Sequence, residues 1–323
     1  MVEARRLVEA GVYPAHHLWG TQDLEAAGLS VEPIVAGPSC VRLTNATRRK
    51  LGDIGVERAM FGRRSASTVC FAADSASLGG LGLLRRIGLG APVAAVIHPR
   101  VVPIRFLRRA VLRSYDLVFT PSARIGSDLV ALGRSPEMTV ILPWGPDLRF
   151  PGYQSTGDEV VVSAGKMRRD VDTLAEALVG TGIAARVYSG RRPHTRGDIS
   201  FAAAESFADV LGDLQRASIV AIPLQDTSQL GGLTELNDAL ALSKPIVMTR
   251  NPFIDVDIEA IGCGIWIDHG DIAGWRQAIV HLASDAGLRS EMGRRGRAFA
   301  ETQWNAELFG AGVFMALQKL MNR

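Results

Sequence analysis

The stretch Gln229-Leu230-Gly231-Gly232-Leu233-Thr234-Glu235-Leu236-Asn237-Asp238-Ala239-Leu240-Ala241-Leu242-Ser243-Lys244-Pro245-Ile246-Val247 decides the fold of this chain. Its pattern predicts a glycine turn, then a helix with one apolar face, then a buried strand. The first turn of a helix leaves backbone N–H groups without intrahelical partners, with the positive end of the helix dipole behind them. Because this arrangement suits a phosphate group, the stretch indicates a protein that handles a phosphorylated small molecule.

The same stretch also has a purely structural interpretation. The residues that would form an ordinary buried helix face are Leu236, Ala239, Leu240 and Ser243. In this interpretation Gly231-Gly232 is a plain turn, Thr234 caps the helix and Glu235 pairs with its dipole. Asp238 remains as the candidate for hydrogen bonding a polyol such as ribose.

The composition is that of a globular chain with little net charge. It has 323 residues, of which 47% are hydrophobic, and a formal net charge of +3. The length favours two domains of about 150 residues each, and the charge does not call for nucleic acid as a partner. The cysteines are far apart and odd in number, so we expect neither a disulfide framework nor a zinc site; they are Cys40, Cys70 and Cys263.

The N-terminus carries charges and lacks the apolar centre of a signal peptide. Nowhere does an apolar run approach the roughly 18 residues that span a bilayer. We therefore expect a cytoplasmic protein.

From about residue 66, short apolar runs alternate with amphipathic stretches, which is typical of parallel strands joined by helices. The predicted strands of the first half are Thr68 to Phe71, Val93 to Ile97, Leu117 to Thr120 and Thr139 to Leu142. Those of the second half are Val160 to Ser163, Ala185 to Tyr188, Ile219 to Pro223 and Pro245 to Thr249. The segment from Pro143 to Asp158 is rich in proline, glycine and polar residues and is the best candidate for a linker.

This pattern predicts an α/β fold of two doubly wound, Rossmann-like domains. We assign residues 1–150 to the first domain, 151–303 to the second, and 304–323 to a C-terminal helix that packs back on the first. The first forty residues fit less well, because Met1 to Tyr13 is charged and helix-like where a doubly wound domain opens with an apolar strand. Either that strand is absent or it is built unusually.

A second turn with the character of a phosphate site follows the first strand of the second half. It reads Ser163-Ala164-Gly165-Lys166-Met167-Arg168-Arg169-Asp170. A strand-to-helix turn with glycine and three cations can place an ammonium and a guanidinium on phosphate oxygens. A solvated basic loop is the alternative. The recurrence of this turn in register with the glycine turn at Gly231 favours a site.

Together these segments resemble the retaining, nucleotide-sugar-dependent glycosyltransferases of the two-Rossmann-domain type (GT-B), specifically family 4 (GT4). The similar segments lie between about Tyr115 and Trp304 and follow the order of that family. They are Tyr115-Asp116-Leu117-Val118-Phe119-Thr120-Pro121-Ser122, Ile141-Leu142-Pro143-Trp144-Gly145-Pro146-Asp147, Ala164-Gly165-Lys166, Asp238-Ala239-Leu240-Ala241-Leu242-Ser243-Lys244-Pro245-Ile246-Val247, Gly264-Ile265-Trp266-Ile267-Asp268-His269-Gly270-Asp271 and Met292-Gly293-Arg294-Arg295-Gly296-Arg297. Each alone is a weak signal, but six in the right order are specific for the fold.

The resemblance implies a nucleotide diphosphate sugar in the cleft between two facing domains, held mainly by the second. Lys166 and Arg169 would be catalytic by neutralising the departing diphosphate, and Asp238 would hold the ribose hydroxyls. The remaining donor contacts would come from the two glycine turns, through Gly165, Gly231, Gly232, Leu233 and Thr234. No metal or other cofactor is implied, because cationic side chains and a helix end take the place of a metal.

Two histidines of the first domain are also candidates by resemblance. His98 ends a strand, as a family histidine near the transferred sugar does, and would be catalytic. A surface histidine at a strand end is its structural alternative. His16 lies where related sequences begin their first helix and contact donor or acceptor.

The chain departs from the family at three positions of the opening stretch. The family has two glutamates eight positions apart, for which this chain has Leu230 and Asp238, and Ser243 replaces the glycine of its Gly-Lys-Pro turn. Leu230 cannot hydrogen-bond a sugar hydroxyl. A neighbour such as Gln229 or Asp226 therefore substitutes, or the donor differs, or activity is lost.

These departures leave three functional hypotheses open. The first is a glycosyltransferase, which the cations at Lys166 and Arg169 favour. The second is a catalytically silent relative that binds a nucleotide sugar or a partner protein. A sugar-nucleotide epimerase on the same fold is less well supported, because no pair of acidic residues can be assigned to proton abstraction.

The segment from Ile104 to Arg113 predicts a basic helix in the acceptor domain. Its cations near one helical face are Arg105, Arg108, Arg109 and Arg113, and Leu84-Arg85-Arg86-Ile87 lies upstream. A basic amphipathic helix suits the anionic inner face of a membrane, and with it a lipid-linked acceptor. A solvated arginine face is the alternative.

Overall fold

The computed structural model describes residues 2–34, 53–63, 68–73, 78–101, 106–158, 160–165, 168–189, 192–203 and 206–322, with the backbone alone for 106–108. The chain forms two compact units. The N-terminal unit comprises Met1–Arg6, Ala15–Trp144 and Ala306–Arg323. The C-terminal unit comprises Leu7–Pro14 and Gly145–Asn305.

The N-terminal unit is built on a four-stranded parallel sheet. In sheet order its strands are β1 (Cys70–Ala72), β2 (Val93–Val96), β3 (Leu117–Thr120) and β4 (Thr139–Ile141). The first helices of the chain are α1 (Val2–Glu9), α2 (Thr21–Ala26), α3 (Ile54–Gly62), α4 (Gly79–Arg85), α5 (Phe106–Ser114) and α6 (Ala123–Ala131), with 3-10 turns at Ala15–Leu18 and Pro136–Met138. Every residue of β2 and β3 is buried, as expected where crossover helices cover both faces of a parallel sheet.

The C-terminal unit contains a seven-stranded sheet in the order β11-β10-β9-β5-β6-β8-β7. Its strands are β5 (Val160–Ser163), β6 (Ala185–Tyr188), β7 (His194–Arg196), β8 (Ile199–Ala202), β9 (Ala217–Ile222), β10 (Ile246–Thr249) and β11 (Gly264–Ile267). Its helices are α7 (Val171–Leu178), α8 (Phe207–Gln215), α9 (Leu233–Ala241), α10 (Ile258–Ile261), α11 (Ile272–Ser284) and α12 (Ala286–Gln303). All strand pairs are parallel except β7 with β8, which is antiparallel.

The alternating pattern therefore predicted the fold class correctly, and the predicted strands lie within two residues of the observed ends. Three strands of the C-terminal sheet, β7, β8 and β11, were not predicted. In β7 all three residues are exposed and two are His194 and Arg196, so no apolar run marks it. Within the described residues no strand precedes β1, and 2–34 hold only helices, turns and irregular backbone.

The last helix, α13 (Ala306–Met321), groups with the N-terminal unit and packs against α2. Two glycines set the distance between these helices. A Cβ at Gly20 would lie 3.2 Å from the Gly310 Cα, and a Cβ at Gly310 would overlap with the Asp23 carboxylate. Larger residues at these positions would therefore separate the two helices.

The segment Met292 to Arg297 fixes α12 against the end of α9. A Cβ at Gly293 would overlap with the Ser243 carbonyl, and one at Gly296 would lie 3.0 Å from Leu240 Cδ2. Arg297 Nη1 donates to the Ala241 carbonyl over 2.7 Å. This segment thus holds a helix in place, and two of its residues are glycines because the backbones approach closely.

Candidate functional site

The strand order of the C-terminal sheet reverses between β5 and β9. From β5 the chain continues to β6 on one side, whereas β9 and β10 lie on the other. In doubly wound sheets, ligands bind outside the carboxyl ends of the strands at such a point. The two glycine turns of the sequence, at Gly165 and at Gly231-Gly232, each follow the carboxyl end of one of these neighbouring strands.

Helix α9 begins at the second glycine turn. Its N-cap is Gly232, whose φ of 82° lies in the left-handed region. A Cβ there would lie 2.6 Å from Met248 Cε and 2.8 Å from Ile222 Cγ2, so both conformation and packing require glycine. Among the described residues no side chain caps this helix, which leaves the backbone N–H groups of its first turn available to a ligand. The interpretation of Thr234 as the N-cap is therefore wrong.

Arg169 lies at the same edge of the sheet, in the turn after β5. Its guanidinium donates to the carboxylate of Glu235, the third residue of α9, and each side chain is 10% exposed. Gly165 makes room for this pair, because a Cβ there would overlap with both partners. The pair thus fixes the guanidinium beside the first turn of the helix. Sequence reasoning missed it, because Glu235 was explained by the helix dipole alone.

The backbone of this turn is tied to the loop that follows β9. The Arg168 carbonyl accepts from the Gln225 N–H over 2.9 Å, and the Asp170 N–H donates to the Pro223 carbonyl over 3.1 Å. Arg168 has a φ of 52° and its side chain pairs with Asp226. These contacts hold the two turns in register. Lys166, the other cation predicted here, lies outside the described residues.

Asp238, the candidate ribose contact, is buried in α9 and only 3% exposed. Its carboxylate accepts a hydrogen bond of 2.7 Å from the Tyr153 hydroxyl. Burial, together with the charge of Glu235, raises the pKa of Asp238 to about 7 against the opposing effect of that hydrogen bond. Burial and the neighbouring Asp238 raise the pKa of Tyr153 well above its usual value, so the phenol stays protonated and donates. Tyr153 is a second residue that the sequence did not single out.

Leu230, which replaces the first family glutamate, is 9% exposed. The two neighbours considered as substitutes differ in what they contact. The Gln229 carbonyl accepts from Asn251 Nδ2 over 2.9 Å. The Asp226 carboxylate accepts from the backbone and hydroxyl of Ser228 and from Arg168, and these hydrogen bonds lower its pKa.

The turn between α9 and β10 accounts for the third departure. Ser243 has a φ of 56°, in the left-handed region where glycine is favoured, which explains why a glycine can stand at this position of the family pattern. Lys244 is 4% exposed and its ammonium donates to the Gly157 carbonyl over 2.7 Å. These two residues lie at the amino edge of the sheet, away from the glycine turns.

In the N-terminal unit an aromatic cluster gathers around His98, which follows the carboxyl end of β2. The Trp19 ring stacks on His98 at a centroid distance of 4.8 Å and on Trp144 at 4.8 Å, with interplanar angles of 15° and 19°. His16 contacts the Trp144 ring edge-on at 5.0 Å, and its carbonyl accepts from Trp144 Nε1 over 3.0 Å. The structure thus brings both predicted histidines into one cluster. Sequence reasoning missed the two tryptophans.

The histidines at residues 16 and 17 are held neutral by their surroundings. Burial, with a smaller effect of His17, lowers the pKa of His16 well below its usual value. Burial lowers the pKa of His17 to about 4. Trp19, the next aromatic residue, has a φ of 53°, a conformation that costs free energy for a bulky residue.

Helix α5 carries the described part of the predicted basic face. Arg109 is exposed and its Nε donates to the Leu132 carbonyl over 3.2 Å, and Arg113 is exposed as well. Arg105 and the side chain of Arg108 lie outside the described part. None of the helices in the described ranges is long and apolar enough to span a membrane. The residues that the structure describes also hold no group of three or more metal-ligating side chains.

No protein-family model matches the sequence, and no curated protein matches it. Solved structures do. Sucrose-phosphate synthase from Thermosynechococcus elongatus superimposes with a TM-score of 0.69 at 13% identity, over 91% of this chain and 85% of that one. HepE of Anabaena in complex with UDP superimposes with a TM-score of 0.63 at 14% identity, over 92% of this chain and 88% of that one. WaaG, a glycosyltransferase involved in lipopolysaccharide biosynthesis, superimposes with a TM-score of 0.63 at 14% identity, over 93% of this chain and 94% of that one.

These likenesses establish the fold. The chain has the two-Rossmann-domain architecture, GT-B, that glycosyltransferases such as these share.

Proposed function

We propose that this protein is a glycosyltransferase that moves a sugar from a nucleotide diphosphate sugar to an acceptor, with retention at the anomeric carbon. The observation that carries the proposal is the uncapped start of α9 beside the Arg169 guanidinium, at the carboxyl edge of the sheet where its strand order reverses. The GT-B fold supports it, as do the structures of HepE with UDP and with UDP-glucose. As in those complexes, we expect UDP or a related nucleotide to carry the sugar.

The chemistry follows from where charge develops. As the bond between the anomeric carbon and the diphosphate breaks, negative charge grows on the phosphate oxygen that leaves. The N–H groups of Gly232, Leu233 and Thr234, the dipole of α9, and the cations of Arg169 and Lys166 would stabilise that charge without a metal. For retention we propose a front-face displacement, in which the acceptor oxygen bonds to the anomeric carbon on the face from which the diphosphate leaves. The proton of the acceptor hydroxyl passes to an oxygen of the departing diphosphate.

The Glu235 carboxylate has a defined part in this proposal. A guanidinium has five N–H donors in a fixed plane, and the contact with Glu235 orients that plane beside the first turn of α9, where we expect the diphosphate. Because the guanidinium is oriented before the ligand binds, less conformational entropy is lost on binding. We expect Asp238, hydrogen-bonded to Tyr153, to accept from the ribose hydroxyls, and His98 and His16 to lie on the side of the transferred sugar.

A thermal-shift panel of nucleotide sugars followed by a donor-hydrolysis assay tests this proposal. We expect one nucleotide sugar to raise Tm and to be hydrolysed slowly. Arg169→Gln should lower kcat by about 100-fold, a typical loss for one charge-stabilising donor. The matched control is Arg168→Gln, the adjacent arginine of the same turn, whose partner is Asp226 and which should change kcat less than threefold.

The competing hypothesis, a silent relative, is favoured by Leu230, which cannot bind a sugar hydroxyl. It predicts binding without turnover, equally for the wild type and for Asp238→Ala. That result would end the enzyme proposal. Equal kcat values for Arg169→Gln and Arg168→Gln would leave an enzyme but remove Arg169 from its mechanism.

We also propose that the N-terminal unit contacts an anionic membrane, which would suit a lipid-linked acceptor. The exposed arginines of α5 support this, as do three exposed apolar residues in the last turn of α4 and just after it, of which Ile87 is 70% exposed; the others are Leu84 and Leu89. Co-sedimentation with liposomes should then increase with the fraction of anionic lipid. Sedimentation that is independent of anionic lipid would contradict it.

A further inference from the structure

A pocket of about 520 Å³ lies at the amino edge of the C-terminal sheet, on the opposite side from the glycine turns. Its wall is formed by residues that precede β5, begin β9 and precede β10, together with one face of α12. We call it the amino-edge pocket. Strands of four to six residues are about 13 to 20 Å long, so this pocket is separate from the candidate donor site.

Positive charge dominates the lining. Its four cations are Lys244, Arg289, Arg294 and Arg297, and its two carboxylates are Asp158 and Glu301. Both carboxylates are about half exposed, with side-chain exposures of 49% and 52%. Water therefore screens these carboxylates more than it screens Lys244 and Arg289, whose exposures are 4% and 10%. An anion gains more from this pocket than a cation does.

Lys244 is the most informative residue of the lining. It is 4% exposed, and within the described residues its ammonium has a single acceptor, the Gly157 carbonyl at 2.7 Å. An ammonium carries three N–H donors, and a buried donor without an acceptor costs free energy. A ligand with several acceptor oxygens would satisfy the remaining donors.

The arginines are oriented before any ligand arrives. Arg289 Nη1 donates to the Leu282 and Ala283 carbonyls over 2.7 and 2.9 Å, and its other edge pairs with Asp158. Arg297 Nη1 donates to the Ala241 carbonyl. Fixed guanidinium groups beside a buried ammonium are suited to the oxygens of a phosphate group. Four hydroxyls line the same pocket and can donate as well; they belong to Ser155, Ser218, Ser243 and Ser290.

We propose that the amino-edge pocket binds a small ligand that bears a phosphate group, independently of the donor site. Lys244 would contact the phosphate, Arg294 would approach it from the exposed surface of α12, and the serine hydroxyls would contact the remaining oxygens. The volume accommodates inorganic phosphate or a phosphomonoester, and the same chemistry recognises both.

Isothermal titration of the full chain with inorganic phosphate and with glucose 6-phosphate tests the proposal, with glucose as the uncharged probe. We expect both phosphates to bind and glucose not to bind. Tighter binding of glucose 6-phosphate would assign the site to a phosphomonoester, and equal affinities would assign it to the phosphate group alone. Absence of binding by both would overturn the proposal.

Two arginines of α12 provide a matched pair of variants. Arg294 lines the pocket, whereas Arg295 does not, yet both are exposed and both pair with Glu291. Arg294→Glu should weaken binding of the phosphate probe by about tenfold, the effect of one charge-assisted hydrogen bond, and Arg295→Glu should leave it unchanged. Equal effects of the two variants would overturn the proposal.

A further pair separates this pocket from the donor site. Ser290→Glu places a carboxylate at an exposed lining position without removing a buried group, so it should fold and lose phosphate binding. Arg169→Gln should retain it. If Arg169→Gln abolishes binding and Ser290→Glu does not, the phosphate binds at the glycine turns and the amino-edge pocket is not a phosphate site.

Discussion

At the scale of single residues, the candidate donor site depends on side chains whose partners are distant in sequence. Arg169 and Glu235 are 66 positions apart, and Tyr153 and Asp238 are 85 apart. The sequence could indicate Arg169 and Asp238, because a glycine turn and a helix start are local patterns. It could not indicate Glu235 or Tyr153 as their partners, because those contacts exist only once β5 and β9 are neighbours.

Asp238 yields a prediction about pH and stability. Its pKa in the folded protein is about 7, above its ordinary value of 3.8. Between these values the folded state binds more protons than the unfolded state, so the free energy of unfolding falls as pH rises from about 4 to 7. The slope approaches about 1.4 kcal/mol per pH unit.

Asp238→Asn should remove this slope, because an amide does not ionise and its oxygen can still accept from Tyr153. Urea denaturation at pH 5 and pH 8 provides the test, and the variant should gain on the wild type at pH 8 by about 2 kcal/mol or more. Asp226→Asn, at an exposed ion pair, is the control. A variant whose stability falls between pH 5 and pH 8 as much as that of the wild type would show that the slope does not come from Asp238.

At the scale of secondary-structure elements, close packing of glycines fixes α12. Sequence reasoning could not separate Gly293 from a ligand-binding glycine such as Gly232, since both lie in short glycine-containing motifs of the family pattern. The structure separates them by what a Cβ would meet. Gly232 has a positive φ at a helix start, whereas Gly293 lies within α12 against the Ser243 carbonyl.

Gly293→Ala should therefore destabilise the protein by about 1 to 3 kcal/mol, the usual cost of overpacking, although alanine has the higher helix propensity. Urea denaturation measures the loss. Gly212→Ala is the matched control, since Gly212 lies within α8 and no atom would lie within 4 Å of its Cβ. That variant should be neutral or slightly stabilising, and a loss of the same size in both would contradict the packing argument.

At the scale of the whole molecule, the order of apolar and polar stretches along the sequence predicted the fold better than single residues predicted the site. Alternating apolar runs predicted all four strands of the first sheet and four of the seven in the second, because most of the buried parallel strands are short runs of β-branched and apolar residues. The opening of the chain was harder to predict. The cluster of His16, Trp19, His98 and Trp144 joins segments that are apart in sequence by about 80 and 45 residues, and only His98 follows a strand with a clear apolar pattern.

Buried groups in the two units change stability in opposite directions as the pH rises. His16 and His17 lie in the N-terminal unit and Asp238 lies in the C-terminal unit. Burial lowers the pKa of His17 to about 4 and that of His16 well below its usual 6.5. Below pH 6.5 the unfolded state therefore binds more protons at these residues, and stability falls as the pH falls from 6.5 to about 4. Asp238 acts in the opposite direction up to pH 7. Burial also raises the pKa of Glu57, which acts in the same direction as Asp238. Above pH 6.5 the two histidines no longer contribute, whereas Asp238 still lowers stability, so stability should fall from about pH 6.5 to 7. Denaturation from pH 4.5 to 8 measures this dependence of stability on pH.

His17→Gln should reduce only the loss of stability on the acidic side, below pH 6.5. His281→Gln, at an exposed position on α11, should leave the pH dependence unchanged. An acidic side that stays as steep in His17→Gln would assign it to other groups.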